Sequence, residues 1–337
     1  MSNLLDVKGL NVTFPTIDGD VRASVDLNFE VNRGETLAIV GESGSGKSVS
    51  SLAIMGLHNK ARTAITGEVF LHNKTGTTEI ISASDEAVRR LRGKEMAMIF
   101  QDPMSSLHPY YSIGAQIAEA WLLHNDGNKK DGMARAIEML DLVEIPSASK
   151  RAHEFPHQFS GGMRQRAMIA MALVNNPSLL IADEPTTALD VTVQAQILLL
   201  LQNMQKEFNM GVILITHDLG VVAEYADRVN VMYAGKIVEA ADVEDLYYRS
   251  MHPYTLGLLR SIPRVDKIDD HRLQAIDGTP PSLINLPNAC AFAPRCEYQS
   301  RVAGNLCTSD QPSLDVKANN HTSRCFLTVD QIAQVRA

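Results

Sequence analysis

Four short motifs follow one another along this chain, and the residue types in each suit one part of phosphate chemistry. The first is Gly41-Glu42-Ser43-Gly44-Ser45-Gly46-Lys47-Ser48, which fits the phosphate-loop pattern G-x-x-x-x-G-K-[ST]. The second is a glycine turn, Ser160-Gly161-Gly162, before an apolar helix. The third and fourth are apolar strands that end in the pair Asp183-Glu184 and in His217. Together they predict ATP hydrolysis, because each motif supplies a part that phosphoryl transfer needs.

The phosphate loop is the most specific of the four motifs. Its glycines allow backbone N–H groups to turn toward the β- and γ-phosphates, and the helix that follows adds its positive end. Lys47 supplies a mobile positive charge to the same phosphates, and Ser48 is the expected Mg²⁺ ligand. The predicted nucleotide contacts run from Gly41 through Ser48 and include Val49. A glycine-rich turn without a ligand is the alternative, and the complete match disfavours it.

Two adjacent carboxylates close the apolar strand Leu179–Ala182. We expect Asp183 to hold Mg²⁺ through water and Glu184 to orient or deprotonate the attacking water as a general base. The alternative is a pair of solvated carboxylates at a strand end. The phosphate loop upstream favours the catalytic interpretation.

Three further side chains are candidates because of their positions. Gln101 follows the apolar run Met96–Phe100, and from there its amide could reach the metal or the attacking water; a surface glutamine is the alternative. His217 could hydrogen-bond the γ-phosphate, although a histidine at a strand end is by itself more often structural. Phe14 could stack on adenine, although a lone aromatic residue is more often part of the core.

The glycine turn Ser160-Gly161-Gly162 precedes a helix and is therefore a second candidate for anion binding. Two phosphate-binding elements in one chain need not serve the same nucleotide. A head-to-tail dimer would let this turn close on the ATP of a partner.

All four cysteines lie in the tail of the chain: Cys290, Cys296, Cys307 and Cys325. We expect no export signal, because the first residues have no basic stretch followed by an apolar one. Thiols in such a protein stay reduced, so four gathered in one segment favour a metal site over disulfides. Four unrelated structural cysteines are the alternative. Since every catalytic motif precedes residue 220, a metal site in the tail need not touch the chemistry.

The composition limits the function classes. With 337 residues, the chain is long enough for two domains, or for one large domain with an appendage. Its 31 basic and 39 acidic residues leave a net charge of −8, which argues against a general nucleic-acid binder. No apolar run approaches the length of a membrane-spanning helix. We therefore expect any membrane association to go through a protein partner.

The elements that position these motifs follow from hydrophobic patterning. Alternation over Leu4–Phe14 and Ser24–Phe29 predicts an antiparallel hairpin. A short apolar strand, Thr36–Val40, leads into the phosphate loop and then into a helix from Lys47 to about Leu57. Helical patterns fill residues 101–173, and two apolar strands follow with the helix Val191–Phe208 between them. A domain boundary is expected near 261–264. Beyond it prolines become frequent and regular hydrophobic periodicity disappears, so the tail needs a cross-link, for which the cysteines are the candidates, to be ordered.

With these motifs identified, the chain resembles the ATP-binding subunit of an ABC transporter over nearly its whole length. Gly41–Ser48 resembles Walker A, Gln101 the Q-loop, Ser160–Gln165 the signature, Leu179–Glu184 Walker B, Ala188-Leu189-Asp190 the D-loop and His217 the H-switch. The resemblance implies an α/β fold with an ABC-type P-loop ATPase core, an antiparallel β subdomain, a helical subdomain and a small irregular C-terminal extension. It adds Asp190 to the nucleotide contacts and Gln101 to the Mg²⁺ ligands. The implied domains are 1–260, with the helical subdomain at about 101–173, and 261–337.

Finer similarities point to the oligopeptide/dipeptide permease ATPases, and most closely to the first of two paired ATPases in an oligopeptide importer. They lie in Phe100–Tyr110, Phe159–Arg166, His252–Thr255, Gly278–Leu283 and Ala293–Cys296. The signature has Met163 where glutamine is usual, a variant familiar in peptide importers. The implied partners are a second ATPase, two integral-membrane permeases and a periplasmic or extracellular peptide-binding protein, with this chain at the cytoplasmic face of the inner membrane. An importer of nickel or antimicrobial peptides and a soluble ATP-gated redox or metal sensor are the alternatives.

In that family the tail cysteines resemble ligands of an iron–sulfur cluster, so the resemblance implies a 4Fe–4S cluster on all four. Their spacing here is C-x₅-C-x₁₀-C-x₁₇-C. Zinc is the second choice, because its structural sites favour closely spaced cysteine pairs, which this tail lacks.

Overall fold

The structure is a computed structural model that describes residues 3–73, 76–187, 189–262, 276–284 and 286–336. The strands in these ranges are β1 Asn3–Thr16, β2 Gly19–Asn32, β3 Thr36–Val40, β4 Ala64–Asn73, β5 Gly76–Glu79, β6 Met96–Ile99, β7 Leu179–Asp183, β8 Gly211–Thr216, β9 Arg228–Tyr233, β10 Lys236–Asp242, β11 Asp315–Ala318 and β12 His321–Ser323.

The helices in the same ranges are α1 Lys47–Ile54, α2 Asp85–Leu91, α3 Pro103–Ser106, α4 Ile113–Leu122, α5 Lys129–Leu142, α6 Ala148–Arg151, α7 Gly161–Leu173, α8 Val191–Phe208, α9 Leu219–Tyr225, α10 Val243–Arg249, α11 Pro253–Arg260, α12 Leu306–Ser309 and α13 Val329–Arg336. None of the described helices is long and apolar enough to span a membrane.

The chain divides into two compact units, and neither is a continuous segment. The first unit lies within residues 1–6, 30–35 and 70–215, and the second within 7–29, 36–69 and 216–337. The predicted boundary near 261–264 lies in part outside the described residues, so the division at residue 260 stays a prediction.

The first unit contains a parallel sheet of β6, β7 and β8. Met98 of β6 pairs with Ile181 of β7, which pairs with Ile213 of β8. These strands are continuous apolar runs because a parallel sheet is covered on both faces. Parallel strands end at the same edge, so the residues after β6 and β7, Gln101 and Glu184, emerge side by side. The helices α4, α5 and α7 pack against one another in this unit.

The second unit contains a mixed sheet in which β3 lies parallel to β9. Ile39 of β3 pairs with Asn230, and β9 continues antiparallel into β10. The tail adds β12 to this sheet, with Ser323 opposite Glu239 of β10, and β11 follows. The irregular tail expected from the sequence therefore carries regular elements of its own. Strands of three or four residues are too short for a period of two to show in the sequence.

Three aromatic residues of the second unit's core contact one another. Tyr233 from β9, Tyr254 from α11 and Phe292 from the tail meet with ring centroids 4.7 to 5.4 Å apart. Such tilted and edge-on aromatic contacts stabilise a core beyond the area they bury. The tail is therefore packed into this unit by its own apolar side chains.

Candidate functional site

The phosphate loop connects β3 to α1, and its first and last glycines cannot be replaced without a clash. Gly41 has a φ of +151°, and a Cβ there would lie 2.2 Å from the carbonyl oxygen of Met232. Gly46 has a φ of +102°, and its Cβ would lie 2.1 Å from the carbonyl oxygen of Ala23. Around Gly44, with a φ of +78°, a Cβ would meet nothing within 4 Å. The loop is therefore closely packed at its two ends and open at its middle, as a phosphate cradle requires.

Lys47 lies inside this loop with only 6% of its surface exposed. Its Nζ donates to the carbonyl oxygens of Gly41 at 2.8 Å and Glu42 at 3.0 Å, and it approaches Ser45 Oγ at 3.4 Å. These contacts hold the Nζ of Lys47 inside the loop. Ser48 is an exposed residue in the first turn of α1, where its hydroxyl is accessible.

In the first unit, Gln101 and Glu184 are in direct contact because they follow the paired strands β6 and β7. Gln101 Nε2 donates to Glu184 Oε2 at 2.9 Å. The same oxygen accepts from Thr187 Oγ1 at 2.8 Å. These two donors fix the orientation of the Glu184 carboxylate.

The backbone at Glu184 is unusual because its φ is +47°, in the left-handed region that non-glycine residues rarely adopt. The turn is held by a backbone hydrogen bond from Glu184 N to Ile215 O at 2.9 Å, and Gln165 Nε2 donates to Pro185 O. The preceding Asp183 is 7% exposed at the end of β7. Strain of this kind persists only where the surroundings enforce it, and it concentrates at functional sites.

The glycine turn before α7 is on the surface of the first unit. Ser160 caps the helix, and its Oγ accepts from Met163 N at 3.3 Å. Ser160 and Gly161 are both exposed, and a Cβ on Gly161 would meet nothing within 4 Å. Arg164, one turn into the helix, donates to Met104 Sδ at 3.0 Å, which joins the turn to the segment after Gln101.

The remaining predicted nucleotide contacts lie at element ends. Asp190 caps α8, and its Oδ1 accepts from Val193 N at 3.0 Å. Its neighbour Ala188 lies outside the described residues. His217 is an exposed residue directly after β8.

Phe14 packs edge-on against His58 at 5.5 Å between ring centroids, and His58 Nε2 lies 2.8 Å from the carbonyl oxygen of Val49 in α1. Phe14 therefore lies close to the helix that follows the phosphate loop.

The four cysteines, separated in the sequence, line one narrow apolar cavity in the second unit. Cys290 N donates to Cys307 O at 3.1 Å. Burial raises the pKa of Cys325 to about 12 and that of Cys296 to about 11, and it also raises the pKa of Cys290 and of Cys307. Without a cationic partner these thiols stay protonated.

The described residues contain no group of three or more His, Cys, Asp or Glu side chains that could hold a single metal ion. The zinc alternative has no support from this arrangement. The ligands of a four-iron cluster stand farther apart than those of one ion, because the iron–sulfide cage lies between them. Four thiols line one cavity, but the described residues give no support for a cluster site either, so the 4Fe–4S cluster stays a prediction.

The tail touches the phosphate loop, a contact that no sequence motif predicted. Arg295 forms an ion pair with Glu42 at 2.7 Å, and Tyr254 Oη accepts from Glu42 N at 2.9 Å. The resemblance had singled out the segments that contain Arg295 and Tyr254, but no local pattern indicated a contact with the loop. Folding, rather than proximity in the chain, brings them there.

Comparisons with known proteins agree with this geometry. The profile of the ABC transporter family matches residues 25–187, and that of the oligopeptide/dipeptide transporter C-terminal region matches residues 238–302. A putative peptide import ATP-binding protein of Brucella melitensis is 50% identical over 330 residues, 96% of each chain. The oligopeptide transport ATP-binding protein OppD of Haemophilus influenzae is 50% identical over 93% of this chain and 96% of its own. The dimeric ATP-binding cassette MJ0796, in a post-hydrolysis state with ADP and Pi, has a TM-score of 0.63 and 27% identity over 71% of this chain and 99% of its own.

Proposed function

Because this chain belongs to the ABC transporter ATP-binding proteins that carry the oligopeptide/dipeptide transporter C-terminal region, we propose that it hydrolyses ATP to drive the import of oligopeptides or dipeptides across a membrane. The observation that carries the proposal is the similarity to peptide-import ATP-binding proteins over almost the full length of the chain, with every phosphate motif present.

The proposed chemistry assigns one role to each group. The phosphate loop and Lys47 bind the β- and γ-phosphates, and Glu184 takes a proton from the attacking water. Gln101, which donates to the Glu184 carboxylate at 2.9 Å, orients that base. His217 hydrogen-bonds the γ-phosphate. Each role follows the needs of phosphoryl transfer, in which positioning and electrostatics supply most of the catalysis.

Two further groups complete the proposed nucleotide chemistry. Phe14 stacks on adenine. Mg²⁺, when bound, would neutralise charge that develops on the phosphates, and its proposed ligands are Ser48, Gln101 and Asp183.

The proposed partners are a second homologous ATPase, two integral-membrane permeases and an extracytoplasmic peptide-binding protein. The exposed turn at Ser160 and Gly161 supports a role in trans, since a surface turn before a helix can bind phosphate that another chain holds. Asp190 belongs to the same proposed interface. Through the permeases the chain would lie at the cytoplasmic face of the inner membrane.

A reconstituted complex tests the function. The chain is co-expressed with its permeases and partner ATPase, placed in liposomes, and assayed for ATP hydrolysis and uptake of a labelled tripeptide. Glu184→Gln should retain ATP binding but lose hydrolysis by about 10²-fold or more, because the shape survives while the base does not. Glu86→Gln, at an exposed glutamate of α2, is the matched control. Near-normal turnover by Glu184→Gln would refute the catalytic role, and uptake of Ni²⁺ without peptide uptake would replace the proposed substrate.

We also propose that Cys290, Cys296, Cys307 and Cys325 bind a 4Fe–4S cluster that holds the tail together. When bound, the cluster would supply positive charge to four thiolates that the apolar cavity otherwise disfavours. Protein purified without oxygen should be brown and contain iron and sulfide, and Cys325→Ser should lose both. Stoichiometric zinc, or an ordered tail with no metal, would overturn the proposal.

A further inference from the structure

Arg295 of the cysteine-bearing tail holds Glu42 of the phosphate loop by a two-pronged ion pair. Nη1 donates to Glu42 Oε2 at 2.7 Å, and Nη2 donates to Oε1 at 3.0 Å. The Arg295 side chain is only 5% exposed and the Glu42 side chain 28%. Bidentate pairs of this kind are directional and charge-assisted, so they fix the position of the carboxylate as well as its charge.

Arg295 is itself held firmly in place. Besides Glu42, its guanidinium donates to the carbonyl oxygens of Asp277 at 2.9 Å and Ile276 at 3.3 Å, and to Tyr233 Oη at 3.4 Å. All five of its N–H groups therefore have acceptors. The guanidinium carbon also lies 5.8 Å from the ring centroid of Tyr233 and 5.9 Å from that of Phe292. The hydrogen bonds to Glu42 raise the pKa of Arg295, which keeps it charged.

Glu42 in turn contacts Lys47, the lysine proposed to bind phosphate. Its backbone N–H donates to Tyr254 Oη at 2.9 Å, and its carbonyl oxygen accepts from Lys47 Nζ at 3.0 Å and from Ser45 N at 3.2 Å. One residue of the loop is thus held by its side chain, its amide and its carbonyl. A continuous set of contacts runs from Arg295 through Glu42 to Lys47.

The charge of Glu42 gives a second reason for the contact. A carboxylate in a loop that accepts a triphosphate repels the ligand, and within a few ångströms such repulsion is substantial when water is partly excluded. Arg295 neutralises that carboxylate. Arg295 directly precedes Cys296, so the ion pair connects the cysteine-bearing segment to the loop.

We infer that Arg295 is a positioning residue for the phosphate loop: it neutralises Glu42 and holds the loop in its phosphate-accepting form, so that nucleotide affinity depends on the cysteine-bearing tail. This inference rests on the proposed ATP site. It places the tail in contact with the nucleotide-binding machinery rather than in a purely structural role.

The test uses the purified full chain and measures the dissociation constant of a non-hydrolysable ATP analogue with Mg²⁺. Arg295→Gln leaves the Glu42 carboxylate unpaired and should weaken binding about tenfold or more, an effect equivalent to one unit charge in a partly screened site. Glu42→Gln breaks the same ion pair but leaves a positive charge, so it should bind the analogue at least tenfold more tightly than Arg295→Gln. The double variant Arg295→Gln/Glu42→Gln should regain much of the affinity that Arg295→Gln loses. Arg295→Lys should retain part of that affinity.

Unequal losses from the two halves of one ion pair show that the charge on Glu42 affects affinity as well as the position of the loop, whereas a purely structural contact would give equal losses. Arg260→Gln is the matched control, because Arg260 donates to Tyr298 Oη at 2.9 Å and to Val335 O at 3.0 Å without touching the loop. Arg260→Gln should bind the ATP analogue with the same dissociation constant as the wild type. Equal affinities of wild type and Arg295→Gln, or equal losses in both single variants, would overturn the inference. A wild-type chain that binds no ATP analogue would instead overturn the proposed function. If Arg295→Gln does not fold, Arg295→Lys and Glu42→Gln provide the comparison.

Discussion

Acidification should destabilise the second unit through one buried histidine. His252 is 2% exposed and precedes α11, where its Nδ1 accepts from Tyr254 N at 3.1 Å. Burial lowers its pKa from 6.5 to about 4, although a hydrogen bond with the Arg324 backbone partly offsets this effect. An Nδ1 that accepts a hydrogen bond is unprotonated, so protonation of the ring would cost the helix its cap.

The direction and size of the effect follow from linkage. The unfolded chain takes up the proton near pH 6.5, whereas the folded chain resists until about pH 4. The contribution of His252 to the free energy of unfolding is therefore fully present above pH 6.5, and it is lost as the pH drops toward 4. The pKa difference corresponds to about 3 kcal/mol of unfolding free energy in total, of which about 2 kcal/mol is lost by pH 5.

The assay is urea unfolding followed by far-ultraviolet circular dichroism at pH 7.5 and pH 5. His252→Asn is the informative variant, because its side-chain oxygen can still accept from Tyr254 N and it does not titrate. Between pH 7.5 and pH 5 the free energy of unfolding of the wild type should fall by about 2 kcal/mol more than that of His252→Asn. His153→Asn, at an exposed position, is the control and should behave as the wild type. Equal pH dependence of wild type and His252→Asn would refute the reasoning.

Three further predictions concern the phosphate motifs. Lys47→Ala should weaken binding of a non-hydrolysable ATP analogue by about tenfold or more, because it deletes the charge that faces the phosphates; unchanged affinity would contradict this role. Gly46→Ala should lower the melting temperature well beyond Gly44→Ala, because only the former places a Cβ 2.1 Å from Ala23 O; equal melting temperatures would count against the packing argument. Ser160→Arg should hardly affect ATP binding by the isolated chain but should stop hydrolysis by the assembled complex, and a complex that still turns over would exclude a role in trans.

Local patterns predicted the elements around the motifs well. The strand Thr36–Val40 and the helix Val191–Phe208 have the predicted bounds, because an unbroken apolar run and a helical period are properties of consecutive residues. The predicted helix after the phosphate loop extended to Leu57, whereas α1 ends at Ile54. Helix ends are less certain because the last turn gains few hydrogen bonds. The contact between Gln101 and Glu184 was not predicted, because the pairing of β6 with β7 is a property of the tertiary structure.

The sequence by itself determined the chemistry: which residues can cradle phosphate, which can act as a base and where the thiols are. Only the tertiary structure decided that Arg295 pairs with Glu42, that β12 joins the sheet beside β10 and that four thiols meet in one cavity. The motifs can be recognised from the sequence because their residues are close together in the chain and follow the periodicity of a helix or a strand. Arg295 and Glu42 are 253 residues apart, and no local preference specifies such a pair. Their contact exists because the core of Tyr233, Tyr254 and Phe292 packs the tail against β9, which lies beside the strand that leads into the phosphate loop.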